Sequence, residues 1–294
     1  MTKIIDGKIL SAEILDELAE KAVKLKDEKH ITPGLAVLLI GDNPASEMYV
    51  KSKIKSCSNL GYYSITERLP ADTSEEKVLD FIHNWNNNHQ IHGILVQLPL
   101  PEHINEDKVL YAINPAKDVD GFHPVNLGRL LIGMPSFAPC TPAGIVEMLK
   151  RSDIETSGKH TVVVGRSNIV GKPIANMMYQ KKEHANSIVT ICHSAAKDLK
   201  YYTKQADILI AAIGRAHLIG PDHVKEGAVI IDVGINRVED KSLEKGYRVV
   251  GDVDYDAVFD KVSAITPVPG GVGRMTIAML MYNTYVSASG EFKV

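Results

Sequence analysis

Four short apolar runs in the second half of the chain constrain its fold most. They begin at Thr161 (TVVVG), Ser187 (SIVTIC), Asp207 (DILIAAIG) and Ala228 (AVIIDVGI). None alternates apolar with polar residues, which is the pattern of a strand covered on both faces. The first two gaps have room for a helix, whereas the third, His217 to Gly227, holds at most a turn or two. Strands spaced in this way build βαβ units of a doubly wound parallel sheet.

The first half repeats the theme. Leu35 to Ile40 is a continuous apolar run entered through Pro33-Gly34 and left through Gly41-Asp42-Asn43-Pro44, and Gly93 to Leu98 is a second one ending at Pro99. Leu10, Ile14, Leu18, Ala22 and Leu25 recur at helical spacing between Lys8 and Lys29, and Ser46–Leu60 and Thr73–Asn86 also read as helices. Between Asn114 and Pro142 the chain is dense in Gly, Pro and Asn, as hinge and site loops are. Thr276 to Ser289 forms a last apolar helix, expected to return to the first domain.

A length of 294 residues suits about two domains. The expected architecture is therefore α/β, with an N-terminal catalytic domain of residues 1–139 plus 276–294 and a Rossmann-like nucleotide-binding domain of residues 140–275. A cleft between them is expected to hold the active site. Thirty-three Lys and Arg against 36 Asp and Glu leave a net charge of −3, which disfavours nucleic acid as a partner. Cys57, Cys140 and Cys192 are odd in number and form no C-x-x-C pair, as in a reduced cytoplasmic protein. The longest apolar runs, of six residues, fall well short of the ~18 that suggest a membrane span. Asp6, Lys8, Glu13, Asp16 and Glu17 interrupt any signal-peptide core, and no metal site is expected.

Val162 to Pro173 runs from a strand through a glycine-bearing turn into a helix, an arrangement that offers backbone N–H groups to an anion. Only Gly165 and Gly171 remain of the usual G-x-G-x-x-G, so the strand before and the helix after carry the assignment. NAD sites place a carboxylate at the end of the next strand, and NADP sites need a cation and no carboxylate. Here that strand ends Ile191-Cys192-His193-Ser194 and Arg166 sits in the turn, which favours NADP.

Four further features carry candidate chemistry. Tyr49 and Lys53 lie at i and i+4 on one helix face, able to stack a flat ring and move a proton. On spacing alone the pair reads rather as an exposed helix face in a lysine-rich stretch of Lys51, Lys53 and Lys55. Gln97 ends an apolar strand, where open α/β sheets bind ligands and where a buried amide must find a partner. Asp118 and Asp120 add two carboxylates in the loop region, and Thr266 to Thr276 packs three glycines and two prolines just before a helix. Short-chain dehydrogenases share Tyr-x-x-x-Lys, but their nucleotide unit precedes that pair and here it comes after.

Taken in order, these segments resemble the bifunctional methylenetetrahydrofolate dehydrogenase/cyclohydrolase family. The resemblance is carried by Tyr49-Val50-Lys51-Ser52-Lys53, Gly93 through Pro101, Lys117 through Phe122, Pro139-Cys140-Thr141-Pro142, Gly165-Arg166-Ser167 with Gly171-Lys172-Pro173, and Pro267 through Gly273. It implies oxidation of methylenetetrahydrofolate by NADP⁺ and hydrolysis of the methenyl product to 10-formyltetrahydrofolate, in a homodimer formed through the nucleotide domains. Lys53 is implied as general acid/base, Gln97 as its positioning partner, Tyr49 as the stacking platform and Asp120 as the pterin anchor. Val96, Leu98, Pro269, Gly270 and Gly273 complete the implied folate contacts, and Gly165, Arg166, Ser167, Ile169, Gly171, Ser194 and Ile235 the NADP contacts. Two positions depart from the family pattern: Arg274 replaces a proline, and Ala196 replaces a frequent threonine. The rival enzyme is another two-domain nucleotide-dependent dehydrogenase, of the shikimate or amino-acid type, disfavoured by Tyr49 and the Pro269 to Gly273 loop because a small polyol acid needs no aromatic platform. A non-catalytic nucleotide-binding protein is disfavoured by intact Lys53, Gln97 and Asp120.

Overall fold

The computed structural model describes residues 1–291. β1 (Lys3–Ile4) and α1 (Gly7–Lys29) open the chain, followed by β2 (Gly34–Ile40), α2 (Pro44–Asn59), β3 (Tyr63–Leu69), α3 (Glu75–Asn87), β4 (Gly93–Val96), α4 (Glu106–Ala112) and α5 (Pro124–Leu131). Then come α6 (Cys140–Arg151), β5 (His160–Val164), α7 (Gly171–Tyr179), β6 (Ile188–Cys192), α8 (Leu199–Thr203), β7 (Ile208–Ala211) and β8 (Val229–Asp232). A hairpin of β9 (Asn236–Glu239) and β10 (Tyr247–Val250) precedes α9 (Tyr255–Val258), β11 (Ala264–Ile265) and α10 (Val272–Ser289).

The chain divides into two compact units. One comprises Ala12–Cys140 with the chain from Ile277 onward, and carries Lys53; the other comprises Met1–Ser11 with Thr141–Thr276, and carries Gly165.

In the Lys53 unit three parallel strands lie in the order β3-β2-β4. All seven residues of β2 are buried, which explains its unbroken apolar sequence. Ala36, Leu38 and Ile40, with Ile94 and Val96 of β4, join Val78, Ile82 and Trp85 of α3 and Val109 of α4 in one core. Burying one such side chain is worth roughly 1.5 to 3 kcal/mol, so this layer holds the unit while all three cysteines stay free. The C-terminal part of α10 is tied in through Asn283, whose Nδ2 donates to the carbonyls of Val119 (2.8 Å) and Ala138 (3.1 Å), and through Ser287, whose Oγ donates to His92 O (2.6 Å).

In the Gly165 unit six parallel strands run β1-β11-β8-β7-β5-β6. The chain steps from β5 to β6 on one side and then to β7 on the other, so the strand order reverses at β5. Val162, Val164, Leu209, Ala211, Ile230 and Ile265 form the centre of its core.

Residues 1–139 were expected together in the first domain, but the first eleven join the other unit. Lys3 and Ile4 pair with Ala264 and Ile265 at the sheet edge, and Thr2 Oγ1 donates to the carbonyls of Phe259 and Val262. The boundaries differ by one residue as well, Cys140 lying in the Lys53 unit and Thr276 in the Gly165 unit. The elements that the sequence pattern does not reveal are β1, the edge strand β3, the β9–β10 hairpin, β11 and the helices α4, α5, α6 and α9, of which α5 falls in a stretch expected to be loop.

Candidate active site

Asn43 starts the helix that carries the lysine: its Oδ1 accepts the N–H groups of Ala45 (2.9 Å) and Ser46 (3.2 Å), with Pro44 in the first turn. The inward face of α2 holds Ser46, Val50, Lys53 and Cys57, at helical spacing. Lys53 is therefore 8% exposed, while Lys51 and Lys55 point to solvent. The reading of Tyr49 and Lys53 as an exposed basic face is overturned for Lys53 by this periodicity. Tyr49, one turn earlier, is 36% exposed.

Gln97 stands just past the carboxyl end of β4, its N–H held by Leu38 O at 2.9 Å. Lys53 Nζ donates to Gln97 Oε1 at 3.0 Å, and Gln97 Nε2 donates to Leu98 O at 2.9 Å. The second bond orients the amide so that its oxygen faces the lysine. Gln97 thus meets Lys53 and ties down the loop as well.

The third member comes from the loop before α5. Asp118 is buried and organises that loop: Oδ1 accepts the N–H groups of Gly121 and Phe122, and Oδ2 those of His123 and the Asn126 side chain, at 2.8 to 3.2 Å. Asp120, two residues on, is left half-buried beside Lys53 and Cys140. The Cys140 thiol donates to Val119 O at 3.3 Å.

Burial governs the charges here. It holds the Lys53 ammonium below the usual lysine range, against the opposing pull of Asp120 and Cys140. It raises the Asp120 carboxyl against the Lys53 charge and the Cys140 hydrogen bond, and it pushes the Cys140 thiol far up. The cluster is a lysine whose proton is held loosely, next to a carboxyl group that burial makes harder to ionise and a thiol that stays protonated.

In the other unit, β5 ends in a turn whose geometry excludes side chains. Gly165 has φ 137°, and a Cβ on it would sit 2.2 Å from Ala212 O, while one on Gly171 would sit 2.3 Å from Gly165 O. The N–H groups of Arg166, Ser167, Asn168 and Ile169 take no acceptor among the described residues. Ser167 Oγ accepts instead from Val170 N (3.1 Å) and Gly171 N (3.3 Å), so this hydroxyl caps the turn into α7. Arg166, Ile169, Ser194 and Ile235 are exposed at the carboxyl ends of β5, β6 and β8. The first acid after β6, Asp198, is committed to the N–H groups of Lys200 and Tyr201 as the cap of α8. A side-chain-free turn, open N–H groups, a nearby guanidinium and no free carboxylate at β6 fit a dinucleotide with a 2′-phosphate. Pro269, Gly270 and Gly273 also lie in this unit, and the Ile235 side chain approaches to within 3.5 Å of a Cβ built on Gly273.

Residues 5–120 match the family model for the tetrahydrofolate dehydrogenase/cyclohydrolase catalytic domain, and residues 139–292 match that for its NAD(P)-binding domain. The chain belongs to the tetrahydrofolate dehydrogenase/cyclohydrolase family. Among its curated relatives, the bifunctional protein FolD of Chloroherpeton thalassium is 57% identical over 97% of each chain. Among solved structures, the bifunctional FolD methylenetetrahydrofolate dehydrogenase/cyclohydrolase of Campylobacter jejuni superposes with a TM-score of 0.93 at 49% identity, covering 99% of this chain and 100% of that one. The Trypanosoma brucei N5,N10-methylenetetrahydrofolate dehydrogenase-cyclohydrolase, solved with NADP cofactor and an inhibitor, gives 0.92 at 36% identity, covering 99% and 98%. In this member of the tetrahydrofolate dehydrogenase/cyclohydrolase family, sequence reasoning missed Asn283 and the buried pair Asp232 and Asp252. Asn283 holds the carbonyl next to Asp120, and nothing in the apolar pattern of α10 marks it.

Proposed function

We propose that this chain oxidises 5,10-methylenetetrahydrofolate to the methenyl form with NADP⁺ and adds water to that product to give 10-formyltetrahydrofolate. The observation that carries the reading is the buried Lys53, bonded to Gln97 and flanked by Asp120, in a chain whose other unit holds a dinucleotide turn. NADP⁺, when bound, would supply the hydride acceptor; the N–H groups of Arg166 to Ile169 would hold it, with the Arg166 side chain and Ser194 serving the 2′-phosphate and Ile235 the other half.

In the hydrolytic step, neutral Lys53 takes a proton from the water that attacks the methenyl carbon. The ammonium so formed returns it to N5 of the pterin as the carbon–N5 bond breaks, and the O-protonated formyl group left on N10 loses its hydroxyl proton to bulk water, so that hydrolysis of the cationic substrate releases one proton overall. The Gln97 oxygen holds Nζ in place through both transfers. Asp120 accepts hydrogen bonds from the pterin, Tyr49 stacks on its ring, and Val96 and Leu98 line its edge.

The same reading takes the protein as a cytoplasmic homodimer formed through its nucleotide units. Support comes from β6, a sheet-edge strand on which Ile188 is 65% and Ile191 45% exposed, a surface prone to pairing. No helix among the described residues is long and apolar enough to cross a membrane.

Replacing Lys53 tests the assigned roles. Lys53→Met should lose cyclohydrolase activity by about a hundredfold or more while still binding tetrahydrofolate in a calorimetric titration. A variant that keeps the wild-type rate refutes the role of Lys53.

A further inference from the structure

Two buried carboxylates in the nucleotide unit have no part in the chemistry above. Asp252 is fully buried, and its Oδ2 accepts the N–H groups of Ile213 (2.6 Å) and Gly214 (2.9 Å). Its Oδ1 accepts Arg215 N–H and Asn236 Nδ2, both at 2.9 Å. Asp232, the last residue of β8, accepts the N–H groups of Gly234, Asp252 and Val253, each at 2.9 Å. The two are chained: Asp232 fixes the backbone that aims Asp252, and Asp252 clamps the segment just beyond β7.

Where these bonds fall gives them meaning. Ile213 to Arg215 is the turn leaving β7, and Gly234 to Asn236 is the segment leaving β8, with Ile235 between its two anchored ends. Ala212, just before the first turn, is the residue whose carbonyl closes on Gly165. In open parallel sheets a dinucleotide lies across the carboxyl ends at the reversal of strand order, which here is β5 between β6 and β7. By that rule the β5 turn and the β6 exit would take the pyrophosphate and the adenosine half. The β7 and β8 exits are left to the nicotinamide half.

We infer that Asp252 is a positioning residue for the nicotinamide half of the cofactor, its carboxylate holding the 213–215 turn and the Ile235 segment at the separation that seats the nicotinamide and its ribose. The inference rests on the NADP-dependent reading above. Glycine-bearing turns have little local stability of their own, and three charge-assisted bonds from one carboxylate supply it. In Asp252→Asn one oxygen becomes an NH₂ group that faces backbone donors, so the turn must move while the volume stays the same.

The test separates the two halves of the ligand. Calorimetry with NADP⁺ and with 2′,5′-ADP, on wild type and Asp252→Asn, should show NADP⁺ weakened about tenfold or more and 2′,5′-ADP by less than about twofold. Cyclohydrolase activity on methenyltetrahydrofolate, which consumes no dinucleotide, should stay within about twofold. Unchanged NADP⁺ affinity overturns the inference, and so does a parallel loss of both ligands, which marks general loosening of the unit. Should Asp252→Asn not fold, Asn236→Ala decides by the same readings, because it removes the Nδ2 donor that joins the Ile235 segment to Asp252 Oδ1 (2.9 Å) and leaves the carboxylate in place. Wild type that binds neither ligand removes the NADP reading itself, and the inference with it.

Discussion

Lys53 Nζ lies 3.0 Å from the side-chain oxygen of Gln97, a neutral partner, in a setting where burial already disfavours the lysine's charge. A neutral acceptor holds the amine without fixing its proton, whereas a carboxylate in the same place favours the ammonium. Gln97→Glu should therefore raise the Lys53 pKa and move the rising limb of the cyclohydrolase pH profile upward by about one to two pH units. Activity should recover at high pH, which a merely misfolded variant would not do. An unmoved limb contradicts the assignment of that limb to Lys53.

Asp118 provides a prediction whose sign comes from linkage. Burial raises its carboxyl to about 7 despite the donors around it. In the unfolded chain the group titrates near 4, so its stabilising contribution is full below about pH 4 and is lost as pH rises to about 7. Asp118→Asn cannot titrate. The stability advantage of wild type over this variant should shrink between pH 4 and 8 by up to on the order of 4 kcal/mol. Urea unfolding of both proteins across that range measures the difference, and the effect of Asp232, also raised, cancels because both proteins carry it. A difference that grows with pH contradicts the picture.

Arg166 is exposed in the β5 turn and makes no hydrogen bond or ion pair among the described residues, so its guanidinium is available to a phosphate. Arg166→Ala should raise the KM for NADP⁺ by about tenfold or more and leave that for NAD⁺ within about twofold. Equal changes for both cofactors rule out a role at the 2′-phosphate.

Burial decided how much of the fold and the site was legible in the sequence. β2 and β4 read clearly because both of their faces are covered, whereas β3, with Ser64, Thr66, Glu67 and Arg68 on a sheet edge, carries a mixed pattern that no continuous run reveals. β1 is two residues long and takes its structure from β11 alone. The Tyr49–Lys53 spacing was visible, but whether that face is buried depends on Val50 and Cys57 turning it inward. Gln97 is 44 residues from Lys53, so their contact belongs to the fold and not to any local pattern. Asp252 hid for the same reason: the turn it clamps lies 37 to 39 residues away. Arg274 is exposed in the first turn of α10, and nothing in the structure explains its place there or that of Ala196.

That one chain both oxidises methylenetetrahydrofolate and hydrolyses the product is open to direct measurement. The purified protein is given methylenetetrahydrofolate with either NADP⁺ or NAD⁺ in a spectrophotometric assay, and then methenyltetrahydrofolate alone. NADP⁺ should be reduced faster than NAD⁺, and the methenyl compound should be consumed in the absence of any dinucleotide. No turnover with either cofactor at saturating folate, or a methenyl compound that decays no faster than in buffer, contradicts the assignment of both activities to this chain.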